Sequence, residues 1–282
     1  MLARLAPFLF VFLWSTGFLG AKFGLPHAAP LSFLFVRYLL VIGLMCSIAL
    51  LWRAPWPHDR RQWLHIGVGG LGVHALYLGG VFIAISQGLP AGVTALVVGM
   101  QPLLTATLAG KLLGERVTPR QWLGLALGFA GVAMVVADRF GAAFDAAALW
   151  PAIVALLGIT AGTLYQKRYA PRFDWRSGAV AQFLPTAAVT GTIVFATDGY
   201  RIDWTAEFVF ALGWLVLVLS IGAISLLNWL IRHGSAVNVA SLFYLTPPTT
   251  ALLAWALFGE TLTGFALAGM AIAVWGVALA RK

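Results

Sequence analysis

AGVTALVVGMQPLLTATLAGKLLGERVTPRQWLGLALGFAGVA, residues 91–133, occurs twice in this chain. A shift of 145 positions sets Pro102 on Pro247, Gly114-Glu115 on Gly259-Glu260, Thr118 on Thr263, Gly124 on Gly269 and Gly131 on Gly276. Roughly sixteen of the forty-three positions coincide without a gap, the mark of an internal repeat. Coincidences of Ala, Leu and Gly are cheap in an apolar segment. The proline, the Gly-Glu pair and the threonine three residues after the glutamate are not. The same shift sets Gly17, Leu19 and Lys22 on Gly162, Leu164 and Lys167, so the repeat unit is about half the chain.

Working outward, hydrophobic residues make up 61% and charged residues 10% of the 282 positions, with a mean hydropathy of +0.92. Soluble proteins carry about 25% charged residues, so a water-facing surface cannot be covered. Apolar runs of membrane-crossing length fall at about 5–24, 30–52, 63–86, 90–113, 121–138, 147–169, 177–197, 206–231, 235–258 and 263–280. The first run follows Arg4 and ends near Ala28-Ala29, as a signal peptide would. It is too long for one and reads as a span.

The net charge of +9 is spread between apolar runs, where orientation signals belong, and implies no nucleic-acid partner. Taking the gaps alternately, one side receives Arg4, Arg53, Arg60, Arg61, Lys111, Arg116, Arg120, Lys167, Arg168, Arg172, Arg176, Arg232, Arg281 and Lys282. The other receives only Arg139 and Arg201, which predicts that both termini are cytoplasmic. Cys46 stands alone inside an apolar run, so neither a disulfide within the chain nor a cysteine metal site is expected. No cofactor is expected either.

Five spans per repeat is an odd number, so the second copy enters the membrane upside down. The expected fold is therefore all-α: a polytopic membrane protein with ten transmembrane helices in two inverted five-helix repeats, 1–138 and 147–282. Inverted repeats are a transporter construction, with the substrate site near the midplane at the repeat interface.

At this point the residues resemble a known family, the ten-helix members of the drug/metabolite transporter superfamily built from two EamA-type repeats. Carrying the resemblance are Trp14-Ser15-Thr16-Gly17, Lys22, Arg37, Gln101-Pro102, Leu113-Gly114-Glu115-Arg116, Pro247 and Gly259-Glu260-Thr261. It implies a metabolite exporter or exchanger of the plasma (cell inner) membrane, working by alternating access around a cavity between the halves. It also implies that the fifth and tenth helices pack as a peripheral pair. The implied partners are a small-molecule substrate, such as an amino acid, and the lipid bilayer, with the chain a monomer or weak homodimer.

Pro102 and Pro247 lie near mid-span in equivalent helices, where paired interruptions point to a binding site. Thr94, Gln101 and Thr105 make one stripe on the fourth span; Asn238, Ser241 and Tyr244 make another on the ninth. Each stripe either lines the cavity or hydrogen-bonds a neighbouring helix. His74, with Tyr77 one turn away, is an intramembrane titratable group that could couple transport to protons, or a neutral interhelical donor. Asn228, with Ser225, is its counterpart on the eighth span. Trp14 lies too deep for an interfacial belt and has Thr160 and Thr163 as approximate counterparts. Lys22 and Lys167 could attract an anion or snorkel to the interface, and Arg37, about 10 Å inside the second span, can still snorkel with more strain.

Glu115 and Glu260 sit at span ends after Gly114 and Gly259, where tying a loop or capping a helix is the expected role. Gly20-x3-Gly24, Gly110-x3-Gly114 and Gly124-x3-Gly128 support a tight bundle. No acid lies at a membrane centre, unlike the small multidrug-resistance relatives, which lowers the case for a cationic-drug/proton antiporter. A membrane-embedded enzyme or lipid-handling protein is the alternative. H-E-x-x-H, clustered aspartates and G-x-S-x-G, which such an enzyme would use, are absent from the sequence.

Overall fold

Each apolar run becomes a helical rod, because a bilayer-facing backbone must satisfy its own hydrogen bonds. The computed structural model describes residues 2–89, 91–137, 145–197, 200–259 and 262–281. The rods of the first half are α1 (Leu2–Gly24), α2 (Pro30–Leu51), α3 (Arg60–Ser86), α4 (91–113) and α5 (Pro119–Ala137). Those of the second half are α6 (Leu149–Tyr169), α7 (Trp175–Ala196), α8 (Ala206–His233), α9 (236–258) and α10 (Gly264–Ala280). Among the described residues, seven helices, in rods α2 to α8, are long and apolar enough to cross a membrane. The surface is inside-out relative to a soluble protein: Phe8, Phe12, Leu39, Leu50, Leu157 and Phe210 are exposed. Exposed Trp52, Trp150 and Trp204 stand at rod ends, where indole rings favour the bilayer interface.

The two spans that carry Pro102 and Pro247 are broken into separate pieces. α4 consists of Ala91–Val98 and Gln101–Leu113; α9 consists of Ala236–Ser241, a 3-10 segment Leu242–Leu245, and Thr246–Phe258. Both second pieces start with a proline in their first turn, Pro102 and Pro247. Proline has no N–H to give to the preceding turn, so it is accommodated where a helix begins. The second pieces also end alike. Gly114 (φ 71°) and Gly259 (φ 66°) adopt the left-handed conformation that closes a helix, which only glycine enters without strain.

Glycines set the packing, and they show the inversion. A methyl on Gly124 would lie 2.6 Å from the Gly276 carbonyl oxygen, and one on Gly131 would lie 2.6 Å from that of Gly269. Contact numbers on α10 fall as those on α5 rise, so these two repeat-equivalent helices are antiparallel. The repeats interlock the same way. α1 packs on α8, with Gly20 against Leu215, and its counterpart α6 packs on α3, with Gly162 against Gly72. At these two crossings α3 and α8 are wound as π-helix, over Leu71–Leu78 and Leu215–Ala223. π-turns of this kind collect at functional sites.

Candidate functional site

α1, α2 and α3 of the first repeat and α8 of the second enclose a cavity of about 50 Å³. Its wall includes Trp14, Gly17, Arg37, Tyr77, Phe82, Leu215 and Leu219. Trp14 and Tyr77, both expected at the site, come together here with stacked rings, centroids 6.2 Å apart and 16° between planes. Phe10 and Phe243 back the indole at 5.2 Å each, so its position is held from behind. A volume of this size takes a few water molecules. Sites for small organic ligands run to about 300 Å³ and more, several times this volume.

Arg37 is the charged member of this wall. It is 2% exposed, and its Nε donates to Ser220 Oγ at 3.0 Å. Ser220 in turn donates to the Leu215 carbonyl at 3.1 Å, inside the π-helical stretch of α8. The contact therefore joins the two repeats. Sequence reasoning noted Arg37 inside a span but left it out of the site. Its depth, about two turns in from the start of α2, is the signal that marked it.

His74 does not line the cavity. It is fully buried, stacked on Phe183 with centroids 4.1 Å apart, and its backbone carbonyl accepts from Tyr38 Oη at 2.8 Å. Among the described residues neither ring nitrogen has a hydrogen-bond partner. Asn228 belongs to a ring that the sequence did not reveal. Gln166 Nε2 donates to Asn228 Oδ1 (2.9 Å), Asn228 Nδ2 to Gln182 Oε1 (3.3 Å) and Gln182 Nε2 to Gln166 Oε1 (3.0 Å). Three buried or half-buried amides from α6, α7 and α8 thus satisfy one another. Thr163, like Thr160, donates to a carbonyl of its own helix, Ile159 at 2.7 Å.

The remaining candidates lie on α4 and α9, away from the cavity wall. Thr94, Gln101 and Thr105 are all buried. The break before Gln101 means they do not share one continuous helical stripe. Gln101 Oε1, Thr105 Oγ1, Tyr244 Oη and Thr246 Oγ1 are buried without a partner among the described residues. Gln101 and Thr246 are repeat equivalents, each directly before its proline. Ser241 donates to the Asn238 carbonyl at 2.9 Å, and Asn238 accepts from Gln121 Nε2 at 3.5 Å.

Contacts between the rods also close the bundle end that carries both termini. The Glu115 carboxylate accepts from the Ala236 backbone N–H at 2.9 and 3.0 Å, capping α9 from the α4–α5 turn. Lys167 Nζ lies 3.8 Å from that carboxylate and donates to the carbonyls of Ile231 and Gly234 at the end of α8. Glu260 lies outside the described residues. At the opposite end the turn after α1 pairs with the turn before α8, through Ala29 N–H to the Arg201 carbonyl (3.2 Å) and Asp203 N–H to that of His27 (2.7 Å). Among the described residues no group of three or more His, Cys, Asp or Glu side chains could hold a metal.

Known proteins resemble this chain. The EamA-like transporter family model matches residues 1–137 and again 146–281. The uncharacterized transporter YvbV of Bacillus subtilis (strain 168) is 31% identical over 98% of this chain and 90% of its own. The uncharacterized inner membrane transporter YedA of Escherichia coli (strain K12) is 27% identical over 97% and 89%. A probable amino-acid metabolite efflux pump of Salmonella typhimurium (strain LT2) is 28% identical over 95% and 91%. A solved crystal structure, 23% identical, superposes with a TM-score of 0.79 over 98% of this chain and 95% of the other, a likeness of fold. With two copies of the family's repeat, a cavity walled by both, and relatives matched over nearly their whole length, this chain belongs to the EamA-like transporter family.

Proposed function

We propose that this transporter exports or exchanges a small polar metabolite, such as an amino acid, across the cell (inner) membrane by alternating access. Both termini are then cytoplasmic, and one protomer, alone or in a weak homodimer, forms a complete path. The observation that carries the reading is the cavity at the repeat interface, where Trp14, Arg37 and Tyr77 face Leu215 and Leu219 of the other repeat. The similarity to a probable amino-acid metabolite efflux pump supports the substrate class. Rocking of the repeats separates α1 from α8 at one end and α3 from α6 at the other, the two equivalent crossings. The π-helical stretches supply the compliance, because their backbone bonding is already shifted from the α-helical register.

His74, Gln101, Thr105, Asn238 and Tyr244 are proposed as groups that the moving helices expose to the path in other states, since several carry unused hydrogen-bonding atoms. The test is counterflow in proteoliposomes preloaded with amino acids or purine metabolites, with and without a pH gradient. Saturable uptake of a labelled compound, driven by the same compound inside and reduced by Trp14→Ala, supports the reading. Absence of exchange across the panel from folded protein refutes it.

A further inference from the structure

From the surroundings of Arg37 we infer that the transported metabolite carries a carboxylate, which docks on this guanidinium in the repeat-interface cavity. The inference rests on the transport reading above and adds the chemistry that the site selects.

Guanidinium stays charged at every physiological pH, and burying it without a counter-charge costs several kcal/mol. Arg37 is buried to 2% exposure, yet among the described residues no carboxylate is paired with it. Every described acid falls at or beyond a span end. Among the described residues only Nε is engaged, by Ser220 of the opposite repeat at 3.0 Å. The two terminal amino groups, the fork that takes both oxygens of a carboxylate, have no acceptor among the described residues. The side chain lines the cavity beside Trp14, Tyr77 and Phe82. An anionic group and an apolar or aromatic one therefore have adjacent places. A cationic ligand would meet an uncompensated positive charge and be rejected. Because the guanidinium is braced across the two repeats, docking an anion there acts on the contact that must change when they rock.

The experiment uses the full-length chain in proteoliposomes and pairs of probes that differ only in the carboxylate: L-alanine, L-leucine and L-phenylalanine, each against its primary amide. Purine bases are run alongside. At least one acid is exchanged, and its amide is at least about tenfold slower, the scale of a lost charge-assisted pair. Arg37→Gln brings acid and amide to within about twofold of each other, whereas Arg37→Lys keeps part of the preference. Equal exchange of acid and amide, or an unchanged ratio in Arg37→Gln, overturns the inference. If Arg37→Gln does not fold, the ratio measured in the wild type and in Arg37→Lys decides. Exchange of purine bases without any acid removes the carboxylate and leaves the transporter intact. Exchange of nothing removes both.

Discussion

Replacing Gly72 by alanine tests the crossing that joins the repeats. The new methyl would lie 2.6 Å from Gly162 Cα, 2.9 Å from the Gly158 carbonyl oxygen and 3.0 Å from the Gly162 nitrogen. All three are backbone atoms, which cannot swing aside as a side-chain tip can. Ordinary carbon contacts begin near 3.5 Å, so α3 and α6 must separate by most of an ångström. Overpacking of this kind costs about 1–3 kcal/mol. Gly43 on α2 is the control, since a methyl there meets nothing within 4 Å. Gly43→Ala improves helix propensity and stabilises by up to about 1 kcal/mol. The two substitutions are chemically identical and opposite in sign. Denaturant titration of the purified proteins in one detergent, followed by loss of helical circular dichroism, reads the difference directly. Gly72→Ala unfolding at or above the midpoint of Gly43→Ala would refute the backbone-to-backbone crossing.

Three further outcomes follow from the contacts. Asn228→Leu leaves a donor of Gln166 and an acceptor of Gln182 unmet and costs about 1–3 kcal/mol. The triple change Gln166→Met, Gln182→Met, Asn228→Leu costs less than that single one, because no orphaned group remains. Glu115→Ala removes the cap on α9 and the acid beside Lys167, lowering stability by about 1–2 kcal/mol; Glu115→Gln retains part of it. At the start of α7, Arg176 bonds the Asp174 carboxylate and holds it below the ordinary aspartate range. That stability is fully present above about pH 4 and is lost as pH falls through the depressed folded value, so Asp174→Asn flattens the acid limb of a pH–stability curve.

The ten rods were legible because membrane spans announce themselves by length and apolarity, and the repeat because Pro102, Gly114 and Glu115 recur at one spacing. The left-handed Gly114 closes α4, and the Glu115 carboxylate accepts from one N–H, that of Ala236 at the start of α9. The amide ring was not legible. Gln166, Gln182 and Asn228 stand on three helices, and nothing in local spacing brings them together. Nor were the π-helical stretches, which depend on a partner helix more than on local propensity. The stripe Thr94–Gln101–Thr105 assumed an unbroken helix, and Pro102 preceded by Gly99 denies it one. Arg37 was visible but ambiguous, since a sequence shows how deep a charge lies and not whether an acid stands beside it.

Alternating access requires α1 and α8 to part and admit substrate, and cross-linking them tests that most directly. Gly20 and Leu215 face each other across this crossing; a Cβ on Gly20 would lie 2.9 Å from Leu215 Cγ. Cysteines are placed at both positions, with Cys46 replaced by serine, and the cross-linked fraction after oxidation is measured. Oxidation should arrest counterflow, and a reducing agent should restore it. Undiminished exchange by fully cross-linked protein would contradict alternating access at this interface.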